Sequence, residues 1–192
     1  MKDALKRLAR LLLGEYAVYQ VWRTAGPRVA AASSAMVVRA LATADLAAPG
    51  VDPALAEAAW YLGDDAFGYG CYLDGQLAGV AFYWHGKRYA RRHSWPIEAD
   101  AAKLVHIETA PALRGQGVAP MLISASAQQM QTRGFNTLYA RIWHSNTPSR
   151  SAFARAGWDS IGWLLQVNPL RLRQPWNLRA TGLAKSYIRH KI

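Results

Sequence analysis

The run Leu104-Val105-His106-Ile107-Glu108-Thr109-Ala110-Pro111-Ala112-Leu113-Arg114-Gly115-Gln116-Gly117-Val118-Ala119 constrains this chain more than any other stretch. It reads as a strand, a tight glycine turn and the first turn of a helix. Gly115 and Gly117 remove side chains from the turn, so a bulky anionic group can approach the backbone. The N–H groups that open a helix lack partners within it and carry a partial positive charge. Arg114 adds a full one. Such a turn suits a phosphate group.

Two large phosphate-binding families are excluded. The nucleotide-hydrolase loop closes with Gly-Lys-Ser/Thr, whereas Val118-Ala119-Pro120 follows here. The dinucleotide fingerprint needs a third glycine, and an acid about 20 residues on. Met121-Leu122 and then Tyr139 to Arg141 occupy those places.

The chain of 192 residues is long enough for one domain with an appendage. Its formal charge of +11 draws anions: a phosphorylated cofactor, an acidic substrate, nucleic acid or an anionic membrane surface. Nucleic acid rests on charge alone and is disfavoured as a partner. Lys2, Lys6, Arg7 and Arg10 crowd the start, Lys87, Arg88, Arg91 and Arg92 form a middle cluster, and Arg171 to Lys191 carries no acid. Cys71 is alone, which excludes an intramolecular disulfide and a zinc site built on cysteine pairs. No apolar run approaches the roughly 20 residues of a membrane span, and Leu11 to Leu13 is short for a signal-peptide core. The expected location is cytoplasmic, with a peripheral membrane association left open.

Residues 2–13 read as an amphipathic helix, with Ala4, Leu5, Leu8, Ala9, Leu11 and Leu12 on one side and Lys2, Asp3, Lys6, Arg7 and Arg10 on the other. That pattern fits packing on the domain, packing on a second subunit in a homodimer, or rest on anionic lipid. Glu15 to Arg23 supports helix and strand equally, and Ala30 to Ala35 reads as a linker of small residues. Met36 to Leu41 is a first strand, and Pro53 to Leu62 a short helix with Asp52 as N-cap and Pro53 at N1. Phe67 to Leu73 and Gln76 to Trp84 flank Asp74-Gly75, a hairpin pattern. His85 to Ala99 is a basic loop with aromatics, fit for a substrate rim, a solvated surface or an anchor for a cofactor phosphate.

The central strand covers about 103–109. The helix after the turn carries a stripe of Ala119, Ile123, Ala127 and Met130 and ends near Arg133-Gly134. Strands at Asn136 to Trp143 and Ile161 to Val167 flank a helix over Thr147 to Ala156, and the tail from Asn168 is basic. Cys71 reads as a small core residue, and Trp143, Trp158 and Trp163 as core packing.

Arg114-x-x-Gly117-x-Ala119 resembles the pyrophosphate motif of the GCN5-related N-acetyltransferases, Gln/Arg-x-x-Gly-x-Gly/Ala. About thirty residues later, Asn146-x-x-Ser149-x-x-x-Phe153-x-x-x-Gly157-Trp158 resembles the family's Asn-x-x-Ala-x-x-x-Tyr-x-x-x-Gly-Phe. The two motifs together, in order and spacing, are far more specific than either alone. The resemblance covers about 36–167. It implies an α+β fold with a central mixed, mostly antiparallel sheet flanked by helices, here with an extra N-terminal helix. The domain organisation then reads as 1–35 helix and linker, 36–167 acyltransferase domain, and 168–192 basic extension.

What the resemblance implies chemically is transfer of an acetyl group from acetyl-CoA to an amine by direct attack, with no metal. Backbone groups of Arg114, Gly115, Gln116, Gly117, Val118 and Ala119 would hold the pyrophosphate. The strand edge at Ile107 and Thr109 would pair with the pantetheine arm, and Asn146 would contact that arm or order water near the thiolate. An amine must lose a proton before it attacks, so a base is needed. Alternation places His106 and Glu108 on one face of the strand; Glu108 is the first candidate, His106 the second and His144 the third.

Phe153 stands where the family keeps a general-acid tyrosine, so protonation of the thiolate falls to Tyr139, His144, Ser149, Ser151 or water. The expected acceptor is a small amine, with the basic loop favouring an anionic one such as an amino sugar, a nucleotide-linked amino sugar or an amino acid derivative. Two alternatives stand beside it. One is a membrane-associated N-acyltransferase that uses a longer acyl chain or a lipid-linked acceptor. The other is a non-catalytic acyl-CoA-binding regulatory domain, suggested by Phe153.

Overall fold

The structure, a computed structural model, describes residues 15–26, 35–91, 95–168 and 176–180. The expected helix over 2–13 and most of the linker over 30–35 lie outside the described residues. Two compact units emerge. The larger holds 23–140 and 148–159; the smaller holds 1–22, 141–147 and 160–192.

In the larger unit the strands run in the order β2 (Met36–Ala40), β3 (Ala66–Leu73), β4 (Gln76–Trp84), β5 (Ala101–Thr109) and β6 (Thr137–Trp143, the larger unit's share ending at Ala140). β2, β3, β4 and β5 pair antiparallel in succession, and β5 pairs parallel with β6. The β3–β4 hairpin turns at Asp74-Gly75 as its sequence predicts, both residues holding positive φ.

Helix α4 (Val118–Thr132; α1 to α3 are placed below) buries Leu122, Ile123, Ala127 and Met130. Tyr83 faces it, its hydroxyl 3.0 Å from Ser126 Oγ in a fully buried contact. Phe82, next along β4, points to the opposite face, as a strand dictates. There it joins Leu41, Val80 and Ala110 with residues of α1 (Thr43–Leu46), α2 (Pro53–Ala56) and the 3₁₀ turn Glu57–Tyr61: Leu46, Leu55 and Ala58. The sheet is therefore sandwiched between α4 and these short helices. Asp52 caps α2, its Oδ1 accepting from the Ala54 N–H at 2.9 Å, and Pro53 opens the helix. The expected single helix to Leu62 tightens to 3₁₀ geometry from Glu57.

The basic segment after β4 differs from the expected loop. Helix α3 (Gly86–Ala90) forms within it. Trp95 is 1 % exposed and sits edge-on to Tyr139, while the Tyr89 hydroxyl donates to the Trp95 carbonyl at 2.7 Å. Two apolar anchors thus draw the segment inward, and Lys103 Nζ lies 4.4 Å from the Trp95 ring. Cys71 is buried, and burial pushes its thiol up to about 11. Phe153, on α5 (Thr147–Arg155), is 1 % exposed against Trp158 in an edge contact at 5.0 Å.

The smaller unit holds Arg141–Trp143 of β6, most of β1 (Glu15–Thr24), most of β7 (Asp159–Asn168) and β8 (Trp176–Ala180). Glu15 to Arg23 is thereby settled as strand, and β8, within the basic tail, pairs antiparallel with β7. Trp143 and Trp163 are 47 % and 42 % exposed, so only Trp158 of the three tryptophans is core. Strand alternation explains it: Ile142 and Leu164 take the buried face beside them. Among the described residues no helix is long and apolar enough to cross a membrane.

Candidate active site

β5 carries the candidate base residues, and its geometry is set by a bulge. Phe82 pairs with His106 but Tyr83 pairs with Leu104, which leaves Val105 as an extra residue. A bulge bends a strand and increases its twist. Within the larger unit the last β5–β6 partners are Leu104 and Ala140. From Val105 to Thr109 the side of β5 away from β4 has no strand partner within that unit. An unpaired edge offers N–H and C=O groups to an extended ligand.

That edge leads through a 3₁₀ turn, Pro111–Leu113, into the glycine turn. Gly115 has φ +81° and Gly117 φ +85°, a left-handed conformation that glycine adopts without a Cβ penalty. A Cβ at either position would meet nothing within 4 Å, so the space over the turn is open. Gly117 caps α4 with no side chain on the helix N-terminus. Among the described residues, none accepts a hydrogen bond from the N–H of Gly115, Gln116, Gly117, Val118 or Ala119. Pro120 removes one donor from the first turn at no cost. A cluster of open donors at the head of a fifteen-residue helix is fit for a phosphate or pyrophosphate.

Close packing fixes where this turn lies. A Cβ at Gly79 of β4 would come within 2.9 Å of the Glu108 carbonyl oxygen and 3.0 Å of Val118 Cγ1. Gly79→Ala must push apart β5 and the start of α4, and overpacking of this kind costs about 1–3 kcal/mol. A thermal melt should show a Tm lower by roughly 2–10 °C, and an unchanged Tm would contradict the packing described.

His106 faces the Glu57–Tyr61 turn, and strand alternation puts Glu108 on the same face of β5. The Arg114 guanidinium donates to Glu108 Oε1 at 2.9 Å, an ion pair at a partly exposed carboxylate. His106 is stacked under Tyr61 with ring centroids 4.3 Å apart and an interplanar angle of 8°. Burial holds its imidazole below the ordinary 6.5, against the opposing pull of the Glu108 charge. A histidine so held is neutral at pH 7 and can accept a proton.

The remaining candidates are divided between the units. Ile107, Thr109 and Arg114 to Ala119 share β5 and its turn with Glu108 and His106. His144 and Asn146 belong to the smaller unit. There the His144 N–H donates to the Val18 carbonyl at 3.0 Å, its Nδ1 lies 3.1 Å from the same oxygen, and the Asn146 N–H donates to Trp143. Tyr139, weighed as a proton donor, is buried, and its hydroxyl donates to Glu98 at 3.1 Å, which commits it to structure. Sequence reasoning missed Tyr61, and it placed Arg88 only in a basic cluster, not on the Trp60 carbonyl where the structure has it. The Trp60-Tyr61 pair at the end of a predicted helix was the one available signal. Among the described residues no three His, Cys, Asp or Glu side chains gather as a metal site.

Comparison with known proteins follows the same lines. A family model described as "Acetyltransferase (GNAT) family" matches residues 37–158. A curated relative, [Ribosomal protein bS18]-alanine N-acetyltransferase of Haemophilus ducreyi, is 34 % identical over 62 residues, covering 32 % of this chain and 43 % of the relative. The chain thus matches less than half of that relative's length. A GNAT-family structure from Novosphingobium aromaticivorans superposes with a TM-score of 0.57 at 21 % identity, over 80 % of this chain and 64 % of that one. A tandem GNAT protein from the clavulanic acid biosynthesis pathway does so with a TM-score of 0.56 at 12 % identity, over 93 % and 58 %. At these identities the structural likeness shows the fold: a mixed, mostly antiparallel sheet flanked by helices.

Proposed function

The chain belongs to the GNAT family of acetyltransferases, and on that premise we propose that it moves an acetyl group from acetyl-CoA to a primary amine by direct attack. The observation that carries this reading is the open cluster of N–H donors from Gly115 to Ala119, continuous with the unpaired edge of β5. The turn would hold the pyrophosphate, with Arg114 adding charge, and the edge at Ile107 and Thr109 would hold the extended arm. Acetyl-CoA supplies an acyl group already activated as a thioester. Glu108 would take the proton that the ammonium must lose, with His106 as a second proton acceptor on the same face. Phe153 gives no proton, and a thiolate leaves readily enough for water to complete that step.

The acceptor we favour is a small amine, with anionic amino sugars and amino acid derivatives first. Arg88, counted among the basic side chains that would attract it, is turned onto Trp60 and Trp84, so the charge for such an acceptor would come from its neighbours. The match to the bS18-alanine enzyme favours a second reading, an alanine-initiated peptide. A CoA-release screen over amino sugars, nucleotide sugars, amino acids, polyamines and an Ala-initiated peptide tests both. Release above the rate without acceptor is expected for one class. Absence of CoA binding by calorimetry would overturn the enzyme reading and the non-catalytic CoA-binding one together.

A further inference from the structure

The flat ring over His106 is held in place by two side chains from other elements. Trp84 Nε1 of β4 donates to the Tyr61 carbonyl at 2.9 Å. Arg88 of α3 donates through Nη2 to the preceding carbonyl, that of Trp60, at 2.7 Å. Its guanidinium also lies 4.7 Å from the Trp84 ring centroid, which ties the two donors to each other. Carbonyls at the end of a helical turn lack partners within the turn, so these contacts fix the end of the Glu57–Tyr61 turn. Trp60 and Tyr61 rings sit 3.9 Å apart, and Tyr61 also stacks on Phe82 at 5.4 Å. The Tyr61 ring has little freedom left.

Filling the volume above His106 would need only an aliphatic side chain. A ring parallel within 8° does more: it sets the plane of the imidazole and keeps water from one face. The groups around His106 come from three places. Tyr61 arrives from the 3₁₀ turn and Phe82 from β4, the latter without charge. Glu108 is on the same strand, and Arg114 in turn holds Glu108.

We propose that Tyr61 is a positioning residue for His106: pinned through Trp84 and Arg88, its ring holds the imidazole flat and shielded as the second proton acceptor beside Glu108. In the step it serves, the protonated amine gives one proton to an imidazole nitrogen, leaving a neutral amine with its lone pair free. The resulting imidazolium returns the proton to water. This assignment rests on the acetyl-transfer reading above. Its sign follows from burial, which lowers the histidine; taking the cover away must raise it toward 6.5 and leave less neutral imidazole at acid pH.

The test compares Tyr61→Ala, Tyr61→Phe and Arg88→Met in the full chain, by NMR titration of His106, calorimetric CoA binding and the pH profile of kcat/KM. Tyr61→Ala should move the His106 titration and the acid limb of the profile upward together, with activity at pH 6 falling relative to pH 8 by up to about fourfold, the limit for an imidazole returned to 6.5, and CoA affinity unchanged. Tyr61→Phe keeps the ring and should match the parent. Arg88→Met keeps Tyr61 but removes the Arg88 donor from the Trp60 carbonyl, and should shift both readouts in the same direction by less. A His106 titration that does not respond to Tyr61→Ala overturns the proposal, as does one that moves while the acid limb stays. If no variant, parent included, transfers acetyl, the enzyme reading fails; the titration arm still decides whether Tyr61 governs His106.

Discussion

Gly117→Ala should weaken CoA binding by about tenfold or more while the protein stays folded. Two effects act, and they can be separated. Holding alanine at φ +85° costs roughly 1–2 kcal/mol, which in a chain of this size lowers Tm by about 2–8 °C. The added methyl meets no protein atom within 4 Å, so packing in the free protein is untouched. It projects into the open space over the turn, where a pyrophosphate would need the N–H groups of Gly115 to Ala119. A hydrogen bond to a charged group contributes about 1.5–3 kcal/mol, and losing one accounts for the tenfold. Gly134→Ala serves as the control. Gly134 lies at the far end of α4 with φ +93° and equally open surroundings, so it should lower Tm alike and leave CoA affinity alone. Equal affinity losses in both variants would remove the turn from cofactor binding.

Legibility in the sequence followed the range of the interactions. The glycine turn, the Asp74-Gly75 hairpin and the Asp52-Pro53 helix start are decided by residues within four of one another, and each stands where its sequence places it. What escaped depends on distant partners. Glu15–Thr24 is rich in aromatics at spacings both periods tolerate, and its state is set by the strands beside it. The bulge at Val105 leaves no mark in the run Lys103-Leu104-Val105-His106, yet it resets which residues of β5 face β4. Trp95 stands in a basic stretch that reads as a loop, whether rim, solvated surface or phosphate anchor, until Tyr89 and Tyr139 are seen to bury it. Tyr61 and His106 are far apart in the chain, and no local pattern links them. Motif spacing located the glycine turn and alternation put His106 and Glu108 on one face; the ring of Tyr61 over that face needed the fold.

Glu108→Gln separates binding from chemistry on that face. Glutamine keeps the size of the side chain and removes its charge and its basicity. A general base commonly contributes about 10²–10⁴-fold, so turnover should fall by at least about tenfold. CoA affinity should hold or rise slightly. Arg114, released from its 2.9 Å ion pair, is then free to face the phosphates, and an exposed pair of this kind is worth at most about 1 kcal/mol. The deficit should also shrink as pH climbs, because an amine near its own pKa sheds its proton to solvent without help. A rate unchanged across pH 6–9 would take Glu108 out of the mechanism and leave His106 as the acceptor on that face. A fall in CoA affinity that matched the fall in turnover would instead show that the carboxylate's task is to hold Arg114 in place for the cofactor. The ion pair makes both roles chemically available to one residue, and only the split between Kd and kcat tells which of them the strand supports.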